Sequence, residues 1–597
     1  MGFHTLSIGK TALLTAQYAL NITGHNMANA ATDGYSRQIV NSQALVPQGW
    51  GFGSMGLGVE ISQIRRVSDA YLEGQLRNAY SRSEFYNTLD TCYLNLDIFF
   101  NELSETDIST SLDNFFDSLD DWNSHIESVS HRVAVLESAQ SLAERFNMLG
   151  KQLFNYREQV NLEIQGYADD VNRLAQTIAR LNVAIGHMEG GGMGRVVAND
   201  LRDQRDEALK KLAGLIDIHV VEEPNGNVIV RQANRTLVYA NVAHEVTTRQ
   251  VHSYDQLVDV LVWASDGTPL QPNDGKLGAL VKMRDEVLYG FQKDVDALAQ
   301  TVMWEMNRIH SQSAGLAPMQ RVQASIAPFR PDEFLDAMSY TFPFPRDIFA
   351  IQNGTMDIIV YDMATQTEKT VTVEIDLDRR QNPLGELDTI LWDPNHPEAD
   401  HSLVNKIQRA LDGAAPGVFR AGVDAHNFLY IESLSEDFGF GFGADTSGVL
   451  AALGINTLFS GYNATSMKVD PAIRNNPELL AGARGDDQSP AYVSGNNNGA
   501  LALLRLRSEA VMGRATVTID GFYQALVGRL GVESARIMDM AETQNYIFMR
   551  TMNTREELSG VSMDEELTRL IQYQRSFQSA SKFISITDQL YETLINM

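Results

Sequence analysis

Cysteine is almost missing from this chain. The single Cys92 excludes an intramolecular disulfide and a zinc cluster of the CxxC type. Basic charge is scarce as well: 47 Lys and Arg stand against 76 Asp and Glu, a formal charge of −29 at pH 7 that repels nucleic-acid phosphates and anionic lipid heads. No nucleic-acid partner is expected. Nor does any window approach the ~20 apolar residues of a membrane helix, so no membrane insertion is expected. Near the N-terminus, Lys10, the stretch from Ala12 to Ile22 and Ala28-Asn29-Ala30 imitate a cleavable signal. Thr15, Gln17 and Asn21 break the apolar region, and Leu6, Leu13, Leu20 and Met27 recur every seven residues as an amphipathic helix requires.

Catalytic signatures are missing too. There is no HExxH, GxSxG or Walker lysine pattern, and the twelve histidines are scattered without metal spacing. Gly51, Gly53 and Gly56 satisfy G-x-G-x-x-G, but Val59-Glu60-Ile61 and Ile64 follow as an extended run where a dinucleotide site needs a helix. A calcium loop starting at Asp376 fails at Arg380, Gln381 and Leu387. No cofactor and no metal are expected. The many carboxylates leave a cell-wall glycosidase conceivable, yet nothing singles out a pair of them, and a solvated acidic face is the simpler reading.

What the chain does have is length and a folded protein's composition. Its 597 residues suggest roughly four units of ~150 residues, and 44% hydrophobic against 21% charged residues suits packed domains. Proline divides it, because proline removes a backbone donor and clashes inside a helix. Proline-free runs lie between Pro47 and Pro224, between Pro272 and Pro318, and after Pro490, and these are expected to form a helical body. In the first, Leu136, Leu142, Leu149, Leu153, Val160, Ile164, Val171, Leu174, Ile178 and Leu181 predict one long helix ending near Gly190-Gly191-Gly192. From Asp217 to Trp263 the pattern turns to short β runs, with Pro224-Asn225-Gly226-Asn227 as a hairpin signal between Ile218–Val221 and Val228–Val230. A larger β-rich insert, about residues 317–500, carries strand-like runs at Met356–Val360 and Thr370–Ile375. No short repeat period occurs.

The two ends form a matched pair. In the last segment Leu570, Phe577, Ile584 and Tyr591 fall at one heptad position and Tyr573, Ala580, Thr587 and Leu594 at the other. In the first, the line from Leu6 is accompanied by Gly9, Ala16, Thr23 and Ala30, alternating bulky and small positions that could accept knobs from a partner helix. Burial of each stripe against its own domain explains the same period equally well.

The run Ala28-Asn29-Ala30-Ala31-Thr32-Asp33-Gly34-Tyr35-Ser36-Arg37-Gln38 reads physically as a helix end and a tight turn. Asn29 and Asp33 can bond nearby backbone, Gly34 tolerates positive φ, and Tyr35 anchors. As a string it resembles the signature of flagellar rod, hook and hook-associated proteins. Gly56-Leu57-Gly58-Val59-Glu60-Ile61, Ile64-Arg65-Arg66, Asp69, Tyr71-Leu72 and Gln75-Leu76-Arg77 continue the pattern. Ser559-Gly560-Val561-Ser562-Met563-Asp564-Glu565-Glu566-Leu567, then Leu570-Ile571, Tyr573-Gln574 and Phe577-Gln578, is similar to the closing signature of that family, with Phe577 where a tyrosine is common. Inner segments narrow the resemblance to the hook-associated proteins of the hook–filament junction: Ala198-Asn199-Asp200-Leu201-Arg202-Asp203-Gln204-Arg205-Asp206, Gly275–Leu280 and Ala452–Gly461. The resemblance is weakest around residues 317–350 and 380–420.

The resemblance implies a multidomain α+β fold: a long helical, coiled-coil-like body formed by the N- and C-terminal regions, with inserted β-rich domains. The segments are then an N-terminal axial helix and signature loop (1–65), helical body (66–220), a small β-rich insert (221–272), helical body (273–316), a β-rich outer insert of one or two subdomains (317–500), helical body (501–562) and a C-terminal axial helix (563–597). It also implies a structural, non-enzymatic component of the bacterial flagellum, exported unfolded by the type III route and secreted. Its partners would be further copies of itself, the hook protein, a second junction protein, filament proteins and an export chaperone on the C-terminal helix. The expected assembly interface comprises Leu6, Leu13, Leu20, Met27, Asn29, Gly34, Tyr35, Leu570, Tyr573, Phe577, Ile584 and Leu594, with the C-terminal stripe covered only on assembly. Other readings are another rod or hook protein, or an added adhesin role for the β inserts.

Overall fold

The computed structural model describes residues 2–50, 53–100, 107–190, 196–254, 256–328, 330–335, 351–377, 389–397, 399–485, 491–493 and 495–596. Gly51, Gly191, Gly192, Arg380, Gln381 and Leu387 lie outside them, as does the side chain of Leu594. Helix accounts for 54% and strand for 19%, so helices carry the architecture and the sheets are small: the fold is multidomain α+β. The helices are α1 (Gly2–Ala28), α2 (Ala70–Phe99), α3 (Ile108–Ser124), α4 (Val129–Glu189), α5 (Asn199–Leu215), α6 (Gly275–Lys282), α7 (Tyr289–His310), α8 (Leu403–Ala414), α9 (Val449–Leu453), α10 (Pro471–Asn475), α11 (Asn498–Arg505), α12 (Ile519–Ser559) and α13 (Met563–Ile595). The chain divides into two compact units. One comprises residues 1–95, 157–287 and 533–597, the other 96–156 and 288–532.

In the first unit α1 lies along α13. Strand Gln38–Ala44 pairs antiparallel with Val59–Arg66, the run after the G-x-G-x-x-G string, so the chain is extended there. The expected hairpin is present as His219–Glu222 against Val228–Gln232, within a four-stranded sheet completed by Arg235–Tyr239 and Val242–Ala243. A second hairpin joins Val246–Ser253 to Gln256–Trp263. Both are fastened to α4 by asparagines three turns apart. Asn161 accepts from the Asp259 amide and donates to its carboxylate, Asn172 accepts from and donates to the Val246 backbone, and Asn182 accepts from the Val228 amide while donating to its carbonyl. Asn172 and Asn182 satisfy both the amide and the carbonyl of a strand residue as another strand would, and Asn161 satisfies the amide alone. Because Asn182 and Ala175 take the inward positions, Leu174 and Leu181 are only half-buried, while Val160, Ile164, Val171 and Ile178 sit in the interior as expected.

In the second unit, two three-stranded sheets and α8 enclose one interior. Strand Gly354–Asp362 lies between Thr367–Ile375 and Phe438–Asp445, and Leu429–Ser433 lies between Arg321–Gln323 and Phe419–Val423. The alternation Phe438-Gly439-Phe440-Gly441-Phe442 has the period of a strand. Phe440 and Phe442 point into the core, and the glycines leave room for Pro318 and Tyr492 to lie on the other face. The core's members, from Met319 to Ile455, fall within the residues expected to form the large insert.

Absence of proline permits a helix without imposing one. α4 ends at Glu189, beside the triglycine, as its sequence demands. Residues 506–518, inside the last proline-free run, are not helical: Gly513, Arg514 and Ala515 all take positive φ, and the Met512 amide donates to the Val517 carbonyl to close a turn.

Candidate assembly interface

Gly9 on α1 lies against Ile584 and Phe583 of α13, whereas Asn26 lies against Glu566, so the two helices run antiparallel. A Cβ on Gly9 would stand 2.7 Å from Ile584 Cγ1. That close approach explains the small residues of α1: its buried line is Gly9, Ala16, Ala19, Thr23 and Asn26, spaced by three, four and seven. Leu13, Leu20 and Met27 flank it half-buried, and Leu6 is exposed. On α13 the inward line is the expected heptad. Ala580 and Thr587 are buried, and Leu570, Tyr573, Phe577, Ile584 and Tyr591 are half-buried. Within the chain, α1 covers one side of this stripe. Apolar side chains remain on the flanks: Leu567, Ile571, Phe583, Ile586 and Leu590 are 42–60% exposed.

The signature turn fixes this pair to the rest of its unit. Asn29 ends α1 by donating its amide hydrogens, backbone and side chain, to the His25 carbonyl, and Gly34 follows at φ +76°, where a side chain would be strained. Tyr35 is thereby turned inward. Its hydroxyl donates to Asn26 Oδ1 at 2.8 Å and lies 2.9 Å from His25 Nδ1. Burial, then the neighbouring carboxylates of Asp200, Asp203 and Glu566, push the Tyr35 pKa above its ordinary value, so it stays a donor. Asn26 is saturated: Oδ1 also accepts from the Gln38 amide, and Nδ2 donates to the Gln38 carbonyl and to Glu566 Oε2.

Three arginines spread the connection outward. Arg37 Nη1 donates to Glu565 at 2.9 Å, and its Nε stands 4.0 Å from the buried Glu566 Oε1, an ion pair without a hydrogen bond. Arg66 bridges Asp203 and Asp206 on α5 at 2.7 and 2.6 Å, while Asp203 also accepts from the Ser36 amide. Burial raises the Asp203 pKa, and the bonds from Arg66 and Ser36 offset part of that. Arg555 on α12 donates to the carbonyls of Gly34 and Tyr35 and to Ser36 Oγ. Burial opposes its charge, but Glu73 and Glu556 more than offset this and hold its pKa above the ordinary value. The Arg37 amide donates to the Ser559 carbonyl, tying the turn to the α12–α13 corner.

Of the residues singled out in the sequence, Tyr35, Gly34 and Asn29 therefore form the turn, and Leu570, Tyr573, Phe577 and Ile584 form the α13 line. Leu13, Leu20 and Met27 border the contact. Sequence reasoning missed Asn26, Arg555 and Glu566. Only Asn26 carried a signal, as a polar residue continuing the small-residue line of α1. Among the described residues no cluster of His, Cys, Asp or Glu is arranged to hold a metal ion, and no helix is long and apolar enough to cross a membrane.

Comparison with known proteins agrees with the two signatures and the body between them. Residues 93–320 match the model of the flagellar hook-associated protein FlgK helical domain, and residues 552–597 that of the flagellar basal body rod FlgEFG protein C-terminal region. Flagellar hook-associated protein 1 of Bacillus subtilis is 24% identical over all of this chain and 98% of that protein. The Salmonella typhimurium protein of the same name is 26% identical over 98% of each. The solved flagellar hook junction protein FlgK from Burkholderia pseudomallei shares the fold, at a TM-score of 0.51 and 15% identity over 81% of this chain and 100% of that one. From end to end, then, this chain is similar to flagellar hook-associated protein 1, with the FlgK helical domain over residues 93–320 and the flagellar rod protein C-terminal region at its end.

Proposed function

We propose that this protein is a structural axial component of the bacterial flagellum, joining hook to filament. The observation that carries the reading is the antiparallel pair of chain ends, locked by the signature turn, with apolar side chains left uncovered along both flanks of α13. A second helix covers only one side of α13, and water contact with Ile571, Ile586 and Leu590 costs free energy that a neighbour would remove. Copies related by a repeated rotation and rise each meet the same neighbour, so one interface builds a ring or tube. Hook protein would adjoin one end of that assembly, and a second junction protein followed by filament protein the other. The chain would travel by type III export, its α13 held by a chaperone, and act outside the cell. No catalytic step is assigned to it.

Deletion of the gene tests the role. Cells should build hooks, release unattached filament protein into the medium and not swim, and the intact chain should restore them. Swimming deletion cells with attached filaments would refute it.

A further inference from the structure

Apart from the signature turn, the first unit contains a second polar feature. An open pocket of about 260 Å³, room for several waters at ~30 Å³ each, lies between strand Val59–Arg66, α2 and α5. Four arginines line it, on a chain whose overall charge is −29. Two are committed: Arg66 to Asp203 and Asp206, Arg202 to Glu189 and Glu222. The pocket's acids are committed as well, since Glu73 pairs with Arg555 while Asp206 and Glu222 hold the arginines just named. Arg65 and Arg77 are left with no ion pair or hydrogen bond among the described residues. Arg77 is half-buried, and burial lowers its pKa because Asp206 and Glu73 compensate only in part. A guanidinium in such a place offers five donors in a planar fork to any anionic oxygen group that enters.

We propose that this pocket binds one anionic oxygen group, a carboxylate or a phosphate, between the guanidinium groups of Arg77 and Arg65. Arg77, inside, supplies the desolvated fork, and Arg65, at the exposed rim, adds a second positive charge. The committed arginines keep Asp206 and Glu222 from repelling the guest. The inference stands on the pocket alone and is independent of the junction role.

The test titrates the full-length chain with inorganic phosphate and with acetate, at ionic strength matched with chloride, following melting temperature and phosphorus-31 line width. The wild-type chain should be stabilised relative to chloride, and Arg77→Gln should raise the half-saturating concentration ~10-fold, the loss of a charge-assisted bidentate contact. Arg65→Gln, on an exposed side chain that leaves folding intact, should raise it ~3-fold by removing one charge at the rim. Arg409→Gln, exposed elsewhere, should change nothing. Preference for phosphate identifies a free oxyanion as the guest; acetate binding as well as phosphate identifies a protein carboxylate. If Arg77→Gln does not fold, Arg77→Lys and Arg65→Gln decide in its place. No stabilisation beyond chloride, or equal stabilisation in wild type and Arg65→Gln, overturns the proposal.

Discussion

The interior of the large insert and the contact between the chain ends are closed to different degrees. In the insert Ile358, Leu391, Ile407, Leu411 and Phe440 have at most 1% of their surface exposed, wrapped by two sheets and a helix. Between α1 and α13 the matching apolar positions stay half-buried, because a single helix covers them, and Leu590 beside them is 60% exposed. A core enclosed on all sides in one chain draws its stability from that chain. A two-helix contact with bare flanks gains its remaining stability from whatever lies next to it.

The insert should therefore be the place where a truncation costs most. Phe440→Ala removes a ring packed edge-on against Phe419 and Phe442 and should destabilise the chain by about 4 kcal/mol in chemical denaturation. An effect below ~1 kcal/mol would mean that the insert interior is as loose as the helix pair.

Acid should weaken the second unit more than the first. His310 is fully buried, its Nδ1 2.8 Å from the Asn456 carbonyl and its Nε2 accepting the Ala481 amide, so a proton on Nε2 would set two donors against each other. Burial pushes its pKa down to about 4. Because the folded value lies below the unfolded one, the stability that neutral His310 preserves is present above about pH 6.5 and is lost as pH falls through about 4, at most ~3 kcal/mol. Urea melts across that window should steepen this loss in wild type and flatten it in His310→Gln.

Within the first unit the polar hub should matter more than the apolar stripe. Asn26→Leu leaves the Tyr35 hydroxyl and the Gln38 amide without their acceptor, a cost of about 2 kcal/mol, and should expose the α12–α13 corner to protease. Unchanged melting and unchanged cleavage would show that the hub does not fasten the chain ends.

Much of this was legible because periodicity reports a face directly. The seven-residue count on α13 named the line that α1 covers, the Pro224–Asn227 turn named a hairpin, and the triglycine named the end of α4. What periodicity leaves open is the identity of the partner: the same stripe suits α1 of the chain or a helix of another copy. Leu6 stays outside the α1–α13 contact for a related reason, since the small-residue line that permits close approach, not the bulky one, turns inward. The roles of Arg555 and Glu566 could not be read locally because their partners, Gly34 to Ser36 and Asn26, lie 519–540 residues away in sequence. The asparagines at 161, 172 and 182 on α4 were hidden for the same reason, since only the fold brings strands to them.

The smallest effect on the single chain carries the largest consequence for the account. Leu590→Asp places a charge on a side chain already in water, so the purified protein should melt within about 0.5 kcal/mol of wild type. In the assembled wall the same carboxylate would be buried without a partner at a cost of several kcal/mol in every copy. Cells carrying Leu590→Asp, examined by electron microscopy, should therefore bear bare hooks and shed filament protein. Normal filaments on those cells, with the variant confirmed at the hook tip, would contradict the claim that the bare flank of α13 is an assembly surface.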